Sequence, residues 1–241
     1  MGRTILVVGA SSDMAIAAIR ELWQEYDLVV AHYRKMNAAL SELAEQLGSR
    51  ILLLQADLAS ESEVEAMIAE MTKREIEPEH ILHFPAPPCK NQHFHKIKWE
   101  VFQRELDISL RSFIMISQAF LPGMAKKRSG KLVAMLSFVV NNMPPRYCAN
   151  YIVSKYALLG AVKALAVEYA DKGITVNGIS PAWTETKYIS NQPDYLIEKN
   201  AADSPLGRNL SVDDIIPSVR FLLSPGGDCI NGQNITISCG R

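Results

Sequence analysis

The 241-residue sequence predicts an α/β fold: a single domain whose doubly wound, seven-stranded parallel sheet is flanked by helices. Three observations carry that expectation. Seven short apolar runs recur along the chain, continuous rather than alternating, as in strands buried on both faces of a parallel sheet. Helical periodicities lie between them. No Gly/Ser-rich linker, internal repeat or low-complexity stretch divides the chain, so residues 1–241 read as one domain.

In order, the expected strands are 5–8, 28–32, 51–55, 81–84, 132–136, 174–179 and 235–238. A helix with Ile16, Ile19, Leu22 and Trp23 on one face follows the first run. Leu40, Leu43, Ala44 and Leu47 repeat at helical spacing after the second. Val64, Met67, Ile68 and Met71 do so after the third, preceded by a capping box, Ser60-x-x-Glu63. A long helix is expected to begin near Ala149, and a late one carries Ile215, Ile216, Val219, Leu222 and Leu223. The least regular stretch, from Trp183 to Asp203, follows a strand and contains Pro193. Ligands bind outside the carboxyl ends of strands in open α/β sheets, so this stretch is a candidate substrate lid or else an ordinary surface loop.

Composition narrows the function classes. Hydrophobic residues make up 48% and charged residues 21%, which suits a packed core and excludes wholesale disorder. With 25 basic and 26 acidic residues the formal charge is −1, which gives no footprint for nucleic acid or an anionic membrane. No apolar run approaches the ~20 residues of a membrane span. The N-terminus lacks a signal peptide's apolar stretch and cleavage site, so a cytoplasmic location is expected. Cys89, Cys148, Cys229 and Cys239 are scattered without a CxxC pair, the pattern of thiols in a reducing compartment rather than a disulfide framework or zinc site. No metal ligand set is expected. The chain has 13 glycines, where average usage would give about 17.

The segment Gly9-Ala10-Ser11-Ser12-Asp13-Met14-Ala15 joins the first strand to the first helix. A dinucleotide fold places its phosphate turn there, because small residues admit the pyrophosphate and the helix N-terminus supplies N–H groups and a positive dipole end. The second strand ends at Tyr33-Arg34-Lys35. A base at that position accommodates the 2′-phosphate of NADP, and Arg34 has the fork geometry for it, although a solvated basic pair is the plainer reading. Asp57, after the third strand, suits either an adenine amino group or a capping turn.

The strongest chemical signal is Tyr151-Ile152-Val153-Ser154-Lys155 at the start of the long helix. A Tyr and a Lys four apart share a helix face. An ammonium beside a phenol favours its ionised form and brings it toward general acid–base work near neutrality. Ser137 lies just past a strand end, where its hydroxyl can polarise a substrate carbonyl.

With these residues the chain resembles the short-chain dehydrogenase/reductase family nearly end to end. The likeness covers Gly9-Ala10-Ser11-Ser12, Asp57-Leu58, Gly130-Lys131-Leu132-Val133, Ser137, Tyr151-x-x-Ser154-Lys155, Gly173-Ile174-Thr175-Val176-Asn177, Pro181 with Thr184 and Thr186, Pro205-Leu206-Gly207-Arg208 and Asn231-Gly232-Gln233. Within the family it looks most like the β-ketoacyl-acyl-carrier-protein reductases. The resemblance implies a Rossmann fold, NADPH as cofactor, and reduction of a ketone, a 3-oxoacyl thioester first, with Tyr151 as general acid. It also implies a homotetramer or dimer built on the Tyr-bearing helix and its neighbour around 102–120. The implied catalytic set is Ser109, Ser137, Tyr151 and Lys155. The implied cofactor set is Gly9, Ser11, Ser12, Asp13, Met14, Tyr33, Arg34, Asp57, Leu58, Pro85, Tyr151, Lys155, Pro181, Thr184 and Thr186.

Departures from the family pattern gather at the cofactor crevice. Asp13 and Ala15 stand where the second and third turn glycines are usual, Phe84-Pro85-Ala86-Pro87 replaces Asn-Asn-Ala-Gly, Ser109 aligns with the asparagine of a proton relay, and Ala182 follows Pro181. Asp13 is expected to repel pyrophosphate unless its side chain turns outward or caps the helix. Ala15-Ile16-Ala17 and Leu82-His83 echo the enoyl-reductase branch, which places its Tyr seven residues before its Lys; the spacing here is four. Polyketide, sugar or other secondary-metabolite ketones, or a cofactor-impaired partner subunit, are the alternative readings.

Overall fold

A computed structural model describes residues 2–88, 91–141, 143–190 and 192–240. Seven strands form one sheet: β1 (Thr4–Val8), β2 (Leu28–Tyr33), β3 (Ile51–Gln55), β4 (His80–His83), β5 (Gly130–Met135), β6 (Ile174–Pro181) and β7 (Asn234–Ile237). Their order is β3-β2-β1-β4-β5-β6-β7 and every pair is parallel. The winding reverses between β1 and β4, and a crevice opens at the carboxyl ends of that pair.

The continuous apolar runs have the consequence expected of them, two cores, one on each face. Ile5, Val7, Val29 and Val133 pack with α1 (Asp13–Leu22), α2 (Ala38–Leu47) and α8 (Ile216–Leu223). Leu6, Val8, Ile81, Leu132 and Val176 pack with α3 (Glu61–Lys73), α5 (Ser112–Lys127) and α6 (Ala149–Glu168). The remaining helices are α4 (Trp99–Leu106) and α7 (Asp194–Ala202).

Several expectations shift. Phe84 and Leu136 fall one residue past their strands, although both still donate to neighbouring strands, Phe84 to Val8 and Leu136 to Ile179. The capping box is half formed. The Ser60 hydroxyl accepts from the Glu63 N–H, but the Glu63 carboxylate reaches past Ser60 to the Asp57 N–H at 2.7 Å. The stretch from Trp183 to Asp203 is more regular than expected, because Pro193 and Asp194 start α7 within it. By length and mean hydropathy, Trp99–Lys127 could cross a membrane, with half of its apolar window buried in the protein's own core. The sequence reading overlooked this because Arg104, Glu105, Asp107 and Arg111 break the run. Cys229 and Cys239 carry free thiols, the Cys148 thiol donates to the Pro145 carbonyl at 3.3 Å, and Cys89 lies outside the described residues.

α4 and α5 are one helix joined by a π-helical turn, Asp107–Arg111. One extra residue is accommodated there, and Ser109 and Glu105 are buried against the start of α6.

Candidate active site

A cleft of about 1170 Å³ runs along the carboxyl ends of the strands. At one end the β1–α1 turn is held by backbone geometry. Gly9 has φ +81°, and a Cβ there would also come within 3.3 Å of the Pro85 nitrogen, so glycine is strongly favoured. The Ala10 N–H donates to the His32 carbonyl at 2.7 Å, and the Gly9 N–H donates to His32 Nδ1 at 3.1 Å. His32 Nε2 in turn donates to the Ala56 carbonyl at 3.0 Å. A ring that accepts on one nitrogen and donates on the other must be neutral. Burial pushes the His32 imidazole below its ordinary value in the same sense.

The Ser12 hydroxyl caps α1 through the Ala15 N–H. The Asn37 side chain donates to the Ser11 carbonyl at 2.7 Å and also caps α2 through the Leu40 N–H, so two helix starts are tied to one turn. The Asp13 side chain lines the cleft, and its carboxylate accepts from the Lys187 N–H at 2.7 Å, joining the turn to the segment that precedes α7. The charge is therefore partnered by a backbone N–H of another cleft-lining residue rather than turned outward. Ala15 is fully buried in the core beneath α1.

Arg34 is exposed at the cleft margin, and no hydrogen bond or ion pair engages its guanidinium among the described residues. Asp57 lines the cleft while its carboxylate accepts from the Ala59 N–H at 3.0 Å and sits 3.6 Å from Arg104. Its capping role is therefore real, and it stands at the cleft as well. Leu58 and Pro85 also line it. A positive-φ glycine, a helix N-terminus and a guanidinium free to pair fit a dinucleotide phosphate group by group.

At the other end, α6 delivers Tyr151 and Lys155 and the end of β5 delivers Ser137. Ser137 caps a short turn through the Val139 N–H at 3.5 Å. Lys155 is 1% exposed and donates to the Met135 carbonyl at 2.8 Å. Its Nζ lies 5.8 Å from the centre of the Tyr151 ring. Burial pulls its ammonium down to about 8, against the attraction of Glu105. Pro181 closes β6; the Thr184 hydroxyl donates to the Ala182 carbonyl and that of Thr186 to the Thr184 carbonyl, and both threonines face the cleft. The segment before α7 adds Tyr188, with its ring 6.1 Å from that of Tyr151, and α7 adds Tyr195 and Leu196. With Phe138, Val139 and Met143 these make the substrate end largely apolar.

Two expected site residues lie elsewhere. Tyr33 packs against the core layer of α1 and α2, because the pleat turns the last residue of β2 away from the cleft. Ser109 is fully buried in the π turn and does not reach the cleft wall. Several residues of the site region escaped the sequence reading. Asn37 carries a helix-start signal, an Asn before an apolar-periodic run. Glu105 and Asn150 carry none, since their meeting joins two helices. His83, wholly buried, donates through Nε2 to the Ser112 hydroxyl at 3.1 Å, which itself donates to the Ile108 carbonyl. Burial, with Lys155 nearby, holds the His83 ring well below its ordinary value.

The family model described as enoyl-(acyl carrier protein) reductase matches residues 9–241. The chain is 28% identical over 239 residues to a 3-oxoacyl-acyl-carrier-protein reductase FabG of Vibrio cholerae, covering 99% of this chain and 97% of that protein. Levodione reductase superposes with a TM-score of 0.90 at 22% identity, over 99% of this chain and 96% of that one. ElxO with NADP bound gives 0.87 at 20%, over 100% and 98%. Structural likeness at such identities speaks for the fold.

Proposed function

The chain belongs to the short-chain dehydrogenase/reductase family, and within it we propose an NADPH-dependent reductase of a ketone, a 3-oxoacyl thioester in the first instance. One observation carries this reading: Ser137, Tyr151 and Lys155 line the same end of one cleft whose other end is the Gly9 turn.

NADPH held there would supply the hydride for the carbonyl carbon. Tyr151 gives its hydroxyl proton to the carbonyl oxygen, and Ser137 hydrogen-bonds that oxygen and orients it. The Lys155 ammonium stabilises the phenolate that forms and takes the nicotinamide ribose hydroxyls as hydrogen-bond partners. Arg34 pairs with the 2′-phosphate and separates NADPH from NADH. A Tyr four residues before the Lys favours carbonyl reduction over double-bond reduction. The apolar substrate end suits an acyl chain, as the name of the Vibrio cholerae relative suggests. The proposed assembly is a homo-oligomer through exposed apolar residues of α4 to α6, among them Trp99, Ile114, Val153 and Tyr156.

A fluorescence titration with NADPH and NADH, followed by a panel of ketones and 3-oxoacyl thioesters, tests the reading. NADPH should bind in preference, and Arg34→Asp should move preference toward NADH. No NADPH binding at millimolar concentration would overturn the assignment, and an unchanged preference would remove Arg34 from it.

A further inference from the structure

Lys155 is a cation taken almost wholly out of water, and among the described residues its Nζ has one hydrogen-bond acceptor, the Met135 carbonyl. Such a charge is costly unless an opposite charge sits near it. One does. Glu105, at the end of α4, is 3% exposed, and its Oε1 accepts from the Asn150 side chain at 3.0 Å. Asn150 immediately precedes Tyr151 on α6. Glu105 Oε2 has no hydrogen-bond partner among the described residues, and neither has Ser109 Oγ one helical turn on. The other charged groups nearby are already engaged or neutral. Asp107 pairs with Arg111 at 3.0 Å, Arg104 faces Asp57, and His83 on β4 is neutral. On α6, Lys155 is the charge that acts on Glu105.

Resting on the reductase reading above, we propose that Glu105 is a positioning residue for Lys155: its buried carboxylate is the counter-charge that keeps the lysine an ammonium beside Tyr151. Ser109, where the family usually has an asparagine, carries no charge and cannot do this. The carboxylate does, from one helical turn earlier and through the helix pair that already holds Tyr151.

The pair also sets a pH window. Burial pushes Glu105 up to about 7, and burial pulls Lys155 down to about 8. Both are charged between those values. Below the window the carboxyl is neutral and the lysine keeps its proton; above it the lysine loses its proton. Without the carboxylate, the burial penalty on Lys155 is unopposed and its titration moves further down.

Glu105→Gln tests this, since the amide keeps an acceptor for Asn150 while removing the charge. The first readout needs neither cofactor nor ketone. In protein labelled with 13Cε-lysine, with the Lys155 signal assigned by Lys155→Met, the titration midpoint should fall by about one pH unit in E105Q, and E105D should restore part of the shift. An unchanged midpoint overturns the proposal. The second readout is the pH profile of ketone reduction. The alkaline limb of kcat should move down by the same amount, so the loss grows with pH to about tenfold, while KM for the ketone changes little. A loss equal at every pH would mark a merely structural role and overturn the proposal. A shifted lysine titration in a protein that reduces no ketone supports the pairing and overturns the reductase reading instead. Should E105Q not fold, 13C-labelled glutamate and lysine in the wild type carry the test: a coupled titration of Glu105 and Lys155 supports the pair, and independent titrations overturn it.

Discussion

The two ends of the cleft are built by different means. The nucleotide end is made of backbone: a left-handed glycine, N–H groups at a helix start, and main-chain atoms held by His32 and Asn37. The proposed catalytic end is made of side chains, whose charge and proton placement would carry the chemistry: Ser137, Tyr151, Lys155 and, behind them, Glu105. A backbone site tolerates changes of side chain so long as the chain path survives. That is why Asp13 and Ala15 can occupy positions where the family usually has glycine, one bonded to the segment before α7 and the other buried in the core. A side-chain site has no such freedom, and there Ser137, Tyr151 and Lys155 are kept.

The contrast breaks if the two ends fail to separate binding from turnover. The largest effect is expected from Tyr151→Phe, which removes the acid and leaves the turn untouched. Turnover of an accepted ketone should fall about 10²–10⁴-fold with NADPH affinity within a few fold. A variant with wild-type turnover would remove Tyr151 from the chemistry. Next comes Gly9→Ala. A Cβ at φ +81°, close to the Pro85 backbone, strains the turn by about 1–2 kcal/mol, so NADPH binding should weaken by about tenfold while kcat at saturation stays close to wild type. A drop confined to kcat would contradict the division.

The smallest effect concerns stability. His32 at the nucleotide end and His83 at the catalytic end are both held neutral by burial, below the ordinary value of 6.5. Below that pH these two imidazoles take up protons in the unfolded chain before the native one, so their contribution is full above about 6.5 and is lost as pH falls beneath it, two groups against the one opposing carboxyl, Glu105, pushed up to about 7. Thermal midpoints measured from pH 7.5 to pH 5 should fall, by about 2–4 °C for each kcal/mol at this chain length. His32→Gln should flatten the slope, and a slope unchanged by it would place the acid sensitivity elsewhere.

What could be read from the sequence follows from how local each cause is. The seven strands were legible because each is a short apolar run, and their ends were off by a residue where the run outlasts the ladder, as at Phe84 and Leu136. Tyr151 and Lys155 were legible because one helical turn joins them. The bond from Asp13 to Lys187 spans 174 residues and that from Asn150 to Glu105 spans 45, and no local pattern announces either. The helix Asp194–Ala202 was missed because its apolar residues are too few to mark a face. Tyr33 was misplaced because the strand runs one residue further than the apolar pattern suggested, and each added residue reverses the side on which a chain emerges.

The π turn between α4 and α5 has a consequence of another kind, for the lengths this chain can tolerate. Substitutions at its surface leave the helix path alone. The wide turn takes up one residue, about 100° of helical rotation, so the helices on either side keep their faces across it. Deleting one residue from Asp107 to Arg111 would restore a regular helix with Glu105 still turned toward α6, whereas adding one between Glu105 and the turn would swing that carboxylate away with no chemical group altered. Such chains should therefore lose a residue within this turn more readily than gain one beside it.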